Sequence, residues 1–188
     1  TIPLTNLNFV KKIYILRDKP LVSNSDKIES ITLSNCFQGR LRHMEKFLKG
    51  VFLSKKENID MVLSIFLYPH GYIGALTGKV LNVPHLHMFI AGHRELWLYS
   101  SFLEKLNIWL LKNISAYTVT GNNTRNYFLS KNIPEEKINL VPNVIDMNLF
   151  SKIDVQKKYD IISVGRLWKV KNVSTIIKAL YILKNKNL

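Results

Sequence analysis

The sequence predicts an α/β fold: one domain built on a parallel sheet, followed by the beginning of a second domain of the same kind. Three observations lead there. Short apolar runs alternate with longer amphipathic ones along most of the chain. That is how strands joined by helical crossovers read, and a parallel sheet covered on both faces accommodates them. An apolar fraction of 47% with 21% charged and 11% aromatic residues is the composition of a packed chain with a core, not of a disordered or fibrous one. Finally, the periodic pattern lapses between Pro142 and Lys158, where turn formers and charges collect, and a fresh apolar run and amphipathic segment follow.

Taken in order, strands are expected at Ile13–Leu16, Ile31–Leu33, Met61–Phe66, His85–Ile90, Ala116–Thr120, Ile138–Val141 and Ile161–Val164. Helical patterns fall between most of them, at Leu41–Ser54, Tyr72–Leu81, Leu96–Asn113, Asn123–Lys131 and Val173–Asn185. The longest apolar stretch, Met61–Leu81, is interrupted by Pro69, His70 and Lys79, which are costly in lipid, so it reads as strand, turn and helix. In Leu96–Asn113, at about 100° per residue, Leu96, Leu98, Tyr99, Phe102, Leu103, Leu106, Trp109 and Leu110 share one broad face. Ser100, Ser101, Glu104, Lys105, Asn107 and Lys112 take the other. Trp97, Ile108 and Leu111 stray onto that polar side, as a second packing surface or as a membrane-interface contact. The expected boundaries are a first domain over residues 1–141, a hinge over 142–158 and the start of a second domain over 159–188.

The chain opens at Thr1 without a methionine and stops at Leu188 inside a helical pattern, so a fragment of a longer protein is expected. Its single cysteine, Cys36, excludes an internal disulfide and fits a reducing compartment such as the cytosol. No neighbouring histidine or basic pair marks that thiol as reactive, and it reads as structural. A net charge of +14 points to an anionic partner, or to a solvated basic surface, since the lysines are scattered singly or in pairs.

Two groups of residues are candidates for chemistry. In DIISVGRLWKVKNVSTIIKALYIL (Asp160–Leu183), Gly165 permits a tight turn at the end of the expected strand. Arg166 and Lys171 then stand on the loop before a helix, at the end of the sheet where open α/β proteins bind ligands. Two cations beside a helix N-terminus suit a phosphate or diphosphate, although a basic loop next to a glycine is also an ordinary solvated surface. His85 and His87 alternate on a strand and share a face, which with His93 could seed a metal site. No supporting residues for one are legible, and no metal is expected. Gly71 and Gly74 are better explained by close helix–sheet packing than by a phosphate loop.

IPEEKINLVPNVIDMNLF (Ile133–Phe150), followed by SVGRLWKVKN (Ser163–Asn172), closely resembles the domain junction of retaining glycosyltransferases of family 4. LYPHGYIGALTGKVLNVPHL (Leu67–Leu86) and AYTVTGNNTRNYFLSKNIP (Ala116–Pro134) resemble its first domain more loosely. The likeness covers Tyr68–Leu188. It implies the two-domain GT-B fold, with a Rossmann-like acceptor-side domain over 1–141 and the beginning of a Rossmann-like nucleotide-sugar-binding domain over 159–188. It implies transfer of a sugar from a nucleotide-diphosphate donor, with retention, to a glycan or glycolipid acceptor in cell-surface polysaccharide synthesis. By that likeness Gly165, Arg166 and Lys171 hold the donor diphosphate, the two cations stabilising the charge that grows on it, with no metal or other cofactor. Pro142, Asn143 and Asp146 would feed the interdomain cleft, and His93 is the candidate for the family's acceptor-side histidine. Val144 and Asn172 stand where the family commonly has glycine, and Asn172 could cap the helix that follows. A cytoplasmic protein with peripheral contact at the inner face of a membrane is expected, with no nucleic-acid partner, and the fragment alone is expected to be inactive. The rivals are a GT-B sugar-nucleotide epimerase and a non-enzymatic basic α/β module that binds nucleic acid or anionic membrane.

Overall fold

The computed structural model describes residues 2–23, 25–34, 37–97, 101–142, 150, 154, 156 and 158–185, without the side chains of 2, 3, 94, 95, 97, 101–103 and 170. Cys36, Asn143, Val144 and Asp146 lie outside the described residues. The chain divides into two compact units, Thr1–Val144 and Ile145–Leu188.

In the first unit a short helical turn α1 (Ile2–Thr5) leads to strands β1 (Ile13–Arg17) and β2 (Ile28–Thr32), then helix α2 (Gly39–Lys56). The chain continues through β3 (Val62–Ile65), α3 (Tyr72–Leu81), β4 (His85–Phe89), α4 (Ser101–Asn113), β5 (Ala116–Val119), α5 (Asn122–Ser130) and β6 (Ile138–Leu140). All the strand pairs are parallel, as the alternation of strand and helix requires. Their hydrogen bonding, however, makes two groups: β1 with β2, and β3-β4-β5-β6 in chain order. Polar contacts from α2 tie the β1–β2 pair to the rest. Tyr14 donates to Glu57 at 2.6 Å, the Ser34 amide donates to the Glu45 carboxylate at 2.6 Å, and Lys49 donates to the Thr32 carbonyl at 3.0 Å.

The core of this unit gathers Leu67, Phe89, Leu96, Leu110, Leu111, Ile114, Tyr117, Val119, Phe128, Ile133 and Ile138. Phe89, Tyr117 and Phe128 meet edge to face, with ring centroids 5.0 to 6.1 Å apart, a geometry favoured by the ring quadrupoles. Strand β4 buries His85, His87 and Phe89 while Leu86 and Met88 are only half-buried, and on β3 Leu63 and Ile65 are exposed. Cover on both faces was expected. One face is covered and the other is partly open, which is why the strands alternate in burial instead of being buried throughout.

Helix α3 shows how the covered face is made. Its glycines let it lie directly on β4: a Cβ on Gly71 would stand 3.0 Å from the His87 ring, one on Gly74 2.5 Å from His85 Nε2, and one on Gly78 3.0 Å from the Val83 carbonyl. The packing explanation for Gly71 and Gly74 is the one the geometry supports.

Helix α4 corrects the sequence reading. It begins at Ser101, after a separate 3-10 turn at Gly92–Trp97, and the side it buries carries Asn107, Leu110 and Leu111, while Leu106 and Trp109 are exposed. Leu111 is fully buried, so the membrane-contact reading does not hold for that side. Asn107 tolerates burial because its amide donates to the Leu96 carbonyl at 2.9 Å and its carbonyl accepts from Tyr72. A satisfied side-chain amide can sit in a core that a hydrophobicity wheel would deny it.

In the second unit the expected strand Ile161–Val164 is absent: these residues are exposed and form no ladder. A strand needs a partner, and among the described residues of this unit there is no other strand. The helix at its end, α6 (Val173–Asn185), coincides with the expected one.

Candidate functional site

Between Gly165 and α6 the chain makes a compact basic loop. The Trp168 amide donates to the Arg166 carbonyl at 2.8 Å, and Lys171 closes a 3-10 turn, Lys169–Lys171, by donating to the Trp168 carbonyl at 2.8 Å. The loop returns on itself, so the Lys171 stem runs 3.9 Å from where a Cβ on Gly165 would stand. Arg166 holds its guanidinium 5.7 Å from the Trp168 ring centroid, within cation–π range. Asn172 follows in a left-handed conformation, φ 48°, which asparagine tolerates and glycine adopts freely. Its side-chain oxygen accepts from the Thr175 hydroxyl at 2.8 Å, bracing the first turn of α6. Gly165, Arg166 and Lys171 therefore belong to one exposed loop directly ahead of a helix N-terminus, a place that favours anions.

In the first unit, chemistry-bearing groups collect at the carboxyl ends of the strands. Just past the end of β1, an open depression of about 370 Å³ is lined by Leu16, Arg17, Asp18, Lys19, Lys46 and His70, the last from the turn that follows β3. Asp18 accepts from Arg42 Nε at 2.9 Å and faces Lys46 Nζ at 3.8 Å. Arg42 holds the Asp18 carboxyl below its usual range, with help from Lys46 and His70. Burial lowers His70, and the charges of Lys46 and His43 lower it further. The lining carries three cations and one carboxylate, an excess of positive charge at the end of the sheet where ligands bind. None of these residues was singled out from the sequence. The available signal was the charged triplet Arg17–Asp18–Lys19 directly after an apolar strand.

Beyond β4, His93 lies in the turn opened by Gly92 (φ 74°) and stacks on Tyr127 of α5, with ring centroids 4.6 Å apart. Beyond β6, the Val141 amide donates to the Val119 carbonyl at 2.9 Å, and Pro142 is exposed. Asn143 and Asp146 cannot be placed, because they fall outside the described residues.

The histidines of β4 share a face, as their alternation requires, but they serve the core. Ser64 Oγ lies 2.7 Å from His85 Nε2 and 2.8 Å from His87 Nδ1. One hydroxyl has one proton, so the two rings take complementary roles toward it, one accepting and one donating. Burial pushes His85 down to about 4 and His87 to about 3, the second helped by the proximity of His85. Among the described residues no group of three or more His, Cys, Asp or Glu side chains could hold a metal ion.

The first unit is a parallel α/β sheet with polar and basic groups at its carboxyl ends, and the second opens with a cationic loop before a helix; this is the class of sugar- and nucleotide-binding α/β folds in general form, with both features suited to anions. The particular family follows from comparison: residues 20–149, more than half of the chain, match the model described as Glycosyltransferase Family 4, and the chain belongs to that family. No curated protein matches it. Among solved structures it is similar to UDP-GlcNAc 2-epimerase from Methanocaldococcus jannaschii, at 16% identity and TM-score 0.46 over 64% of this chain and 32% of that one. It is similar to a UDP-N-acetylglucosamine 2-epimerase at 10% identity and TM-score 0.45, over 59% of this chain and 32% of that one. It is also similar to Anabaena HepE in complex with UDP and glucose, at 16% identity and TM-score 0.46, over 65% of this chain and 32% of that one. The chain spans about a third of the length of each of these structures.

Proposed function

We propose that the protein transfers a sugar from a nucleotide-diphosphate donor to a glycan or lipid-linked acceptor, with retention at the anomeric carbon, in the synthesis of a cell-surface polysaccharide. The observation that carries this reading is the loop Gly165–Lys171. It folds the Lys171 stem back toward Gly165, with Arg166 next in the chain over the Trp168 ring, ahead of the α6 N-terminus. As the bond between sugar and diphosphate breaks, negative charge grows on the leaving group. Arg166 and Lys171 neutralise it, and because both sit on one short loop before the reaction starts, little reorganisation is needed at the transition state. The partial positive charge at the start of α6 adds to theirs. These groups neutralise the diphosphate without a metal, and the sequence holds no Asp-x-Asp pair.

The acceptor belongs to the first unit in this reading, at the carboxyl ends of β1, β3 and β4, where the Asp18–Lys46–His70 depression and His93 lie. Pro142, Asn143 and Asp146 belong, in this reading, to the stretch of sequence that joins the acceptor and donor domains. The protein works in the cytoplasm, at the inner face of the membrane where lipid-linked acceptors are assembled. No described helix is long and apolar enough to cross a membrane.

The test is turnover of nucleotide sugars by the full protein, with and without candidate acceptors, alongside Arg166→Ala and Lys171→Ala. Acceptor-dependent release of nucleoside diphosphate that falls in both variants supports the reading. Acceptor-independent isomerisation of the donor sugar replaces it with an epimerase, and unchanged turnover in the variants removes the two residues from the mechanism.

A further inference from the structure

We propose that the depression past the end of β1 selects an acceptor that carries a negative charge, with Arg17 and Lys46 holding a carboxylate or phosphate on the acceptor sugar. Lys46 carries the argument. Its side chain lines the depression and is only 12% exposed, yet the carboxylate it faces, Asp18, stands 3.8 Å away, beyond hydrogen-bond length. Asp18 is already engaged by Arg42, whose Nε donates to it at 2.9 Å. Among the described residues no other group accepts a hydrogen bond from Lys46. A lysine on a solvated surface keeps its charged head in water. An ammonium withdrawn this far costs free energy unless it is fully paired, and an anion entering the depression completes the pairing.

The neighbours share the bias. Arg17 is half-buried at the end of β1, Lys19 is exposed two residues on, and among the described residues no carboxylate pairs with either. With Arg42 behind them, four cations face a single acid. Their field acts on the adjacent groups. Arg42 first, then Lys46 and His70, hold the Asp18 carboxyl below its usual range, and Lys46 adds to the effect of burial in lowering His70. His70 is thus uncharged at neutral pH, a ring that can share a hydrogen bond with a sugar hydroxyl. A guanidinium offers the planar fork that carboxylates and phosphates accept in pairs, and an ammonium in the same depression adds a compact point charge. At about 370 Å³ the depression is at the small end of ligand pockets, which run from about 300 to 1,000 Å³. It fits one charged sugar, whereas a nucleic-acid strand needs a basic groove that follows its backbone. That the anion belongs to an acceptor rests on the transfer reaction proposed above; the charge preference of the depression does not.

Binding and turnover test the two parts separately. Calorimetric titration of the full protein uses methyl glucuronide, glucose 6-phosphate, methyl glucoside and inorganic phosphate. It is done with Arg166→Ala and Lys171→Ala in place, so that the loop before α6 takes no anion. The acidic sugars should bind about tenfold more tightly than methyl glucoside or inorganic phosphate. Arg17→Gln and Lys46→Gln should each weaken their binding by about fivefold or more, while Lys79→Gln, at an exposed lysine of α3, should leave it unchanged. Arg17→Gln keeps the test informative if Lys46→Gln fails to fold. A preference for methyl glucuronide assigns the charge to a carboxylate, and one for glucose 6-phosphate to a phosphate. Acidic sugars that bind no better than methyl glucoside, inorganic phosphate that binds as well as either, or binding unchanged in both variants overturns the proposal. With Arg166 and Lys171 restored and a nucleotide-sugar donor present, transfer as fast to neutral as to acidic acceptors also overturns it and leaves the transferase reading intact. Acidic-sugar binding that depends on Arg17 and Lys46, with no transfer to any acceptor, removes the transferase reading and leaves the anion site.

Discussion

Arg166 and Lys171 are exposed, and neither shapes the described structure through a buried contact, so their replacement should leave the fold intact and act on the reaction alone. Each change to alanine should lower turnover by about tenfold to a hundredfold, the scale expected when one preorganised charge is withdrawn from a leaving group. Steady-state kinetics on the full protein checks it. Gly74 is the opposite case. A methyl group there would meet His85 Nε2 at 2.5 Å in a packed interface, so Gly74→Ala should destabilise the protein by about 1–3 kcal/mol, measurable by urea unfolding. The sequence drew notice to the two cations and to Gly74 for different reasons. Gly165, Arg166 and Lys171 stood out in the sequence because a glycine followed by two cations ahead of a helical pattern is a matter of residue type and short spacing. Asp18, Lys46 and His70 did not, because they come from three distant segments that only folding brings together.

Element by element, the helices were more legible than their orientations. Tyr72–Leu81 and Val173–Asn185 stand where periodicity put them. The Leu96–Asn113 pattern merged a turn and a helix and set its apolar face partly astray: Leu96 and Leu110 are buried as expected, but Leu106 and Trp109 are exposed and Asn107 is inside, because hydrophobic counting cannot see that Asn107 is satisfied there. Removing that satisfaction is a direct check. Asn107→Ala strands the Leu96 carbonyl and should cost about 1–3 kcal/mol, the usual penalty for a buried acceptor left unpaired. The expected strand at Ile161–Val164 failed for a related reason: β-pattern states a capacity to pair, and pairing requires a neighbour. On α2, Glu45 is held down to about 2, first by the Ser34 amide it accepts from. Its contribution to stability is present above the ordinary carboxyl range and is lost as pH falls from about 4.5 toward about 2. Glu45→Gln should remove part of the acid-side loss of stability in that window.

For the whole molecule, the buried His85–Ser64–His87 group predicts how stability follows pH. Both rings are neutral in the fold, whereas an unfolded histidine takes up a proton near pH 6.5. Below that value the unfolded chain binds more protons than the folded one, so stability is full above about 6.5 and falls as pH drops toward about 4. The slope should approach about 3 kcal/mol per pH unit for the two histidines together, checked by denaturant midpoints at a series of pH values. A midpoint unchanged across that window would contradict a neutral, buried pair. The sequence by itself determined the class of fold, the parallel order of strands and helices, the helix-opening basic loop and the family. Each of these rests on local periodicity, or on motifs whose residues lie close along the chain. Only the tertiary structure decided that the strands hydrogen-bond in two groups, that His85 and His87 serve the core, and that Asp18, Lys46 and His70 share a depression. Those outcomes turn on which surfaces meet, and contact between distant segments is a property of the packed chain that no local pattern encodes.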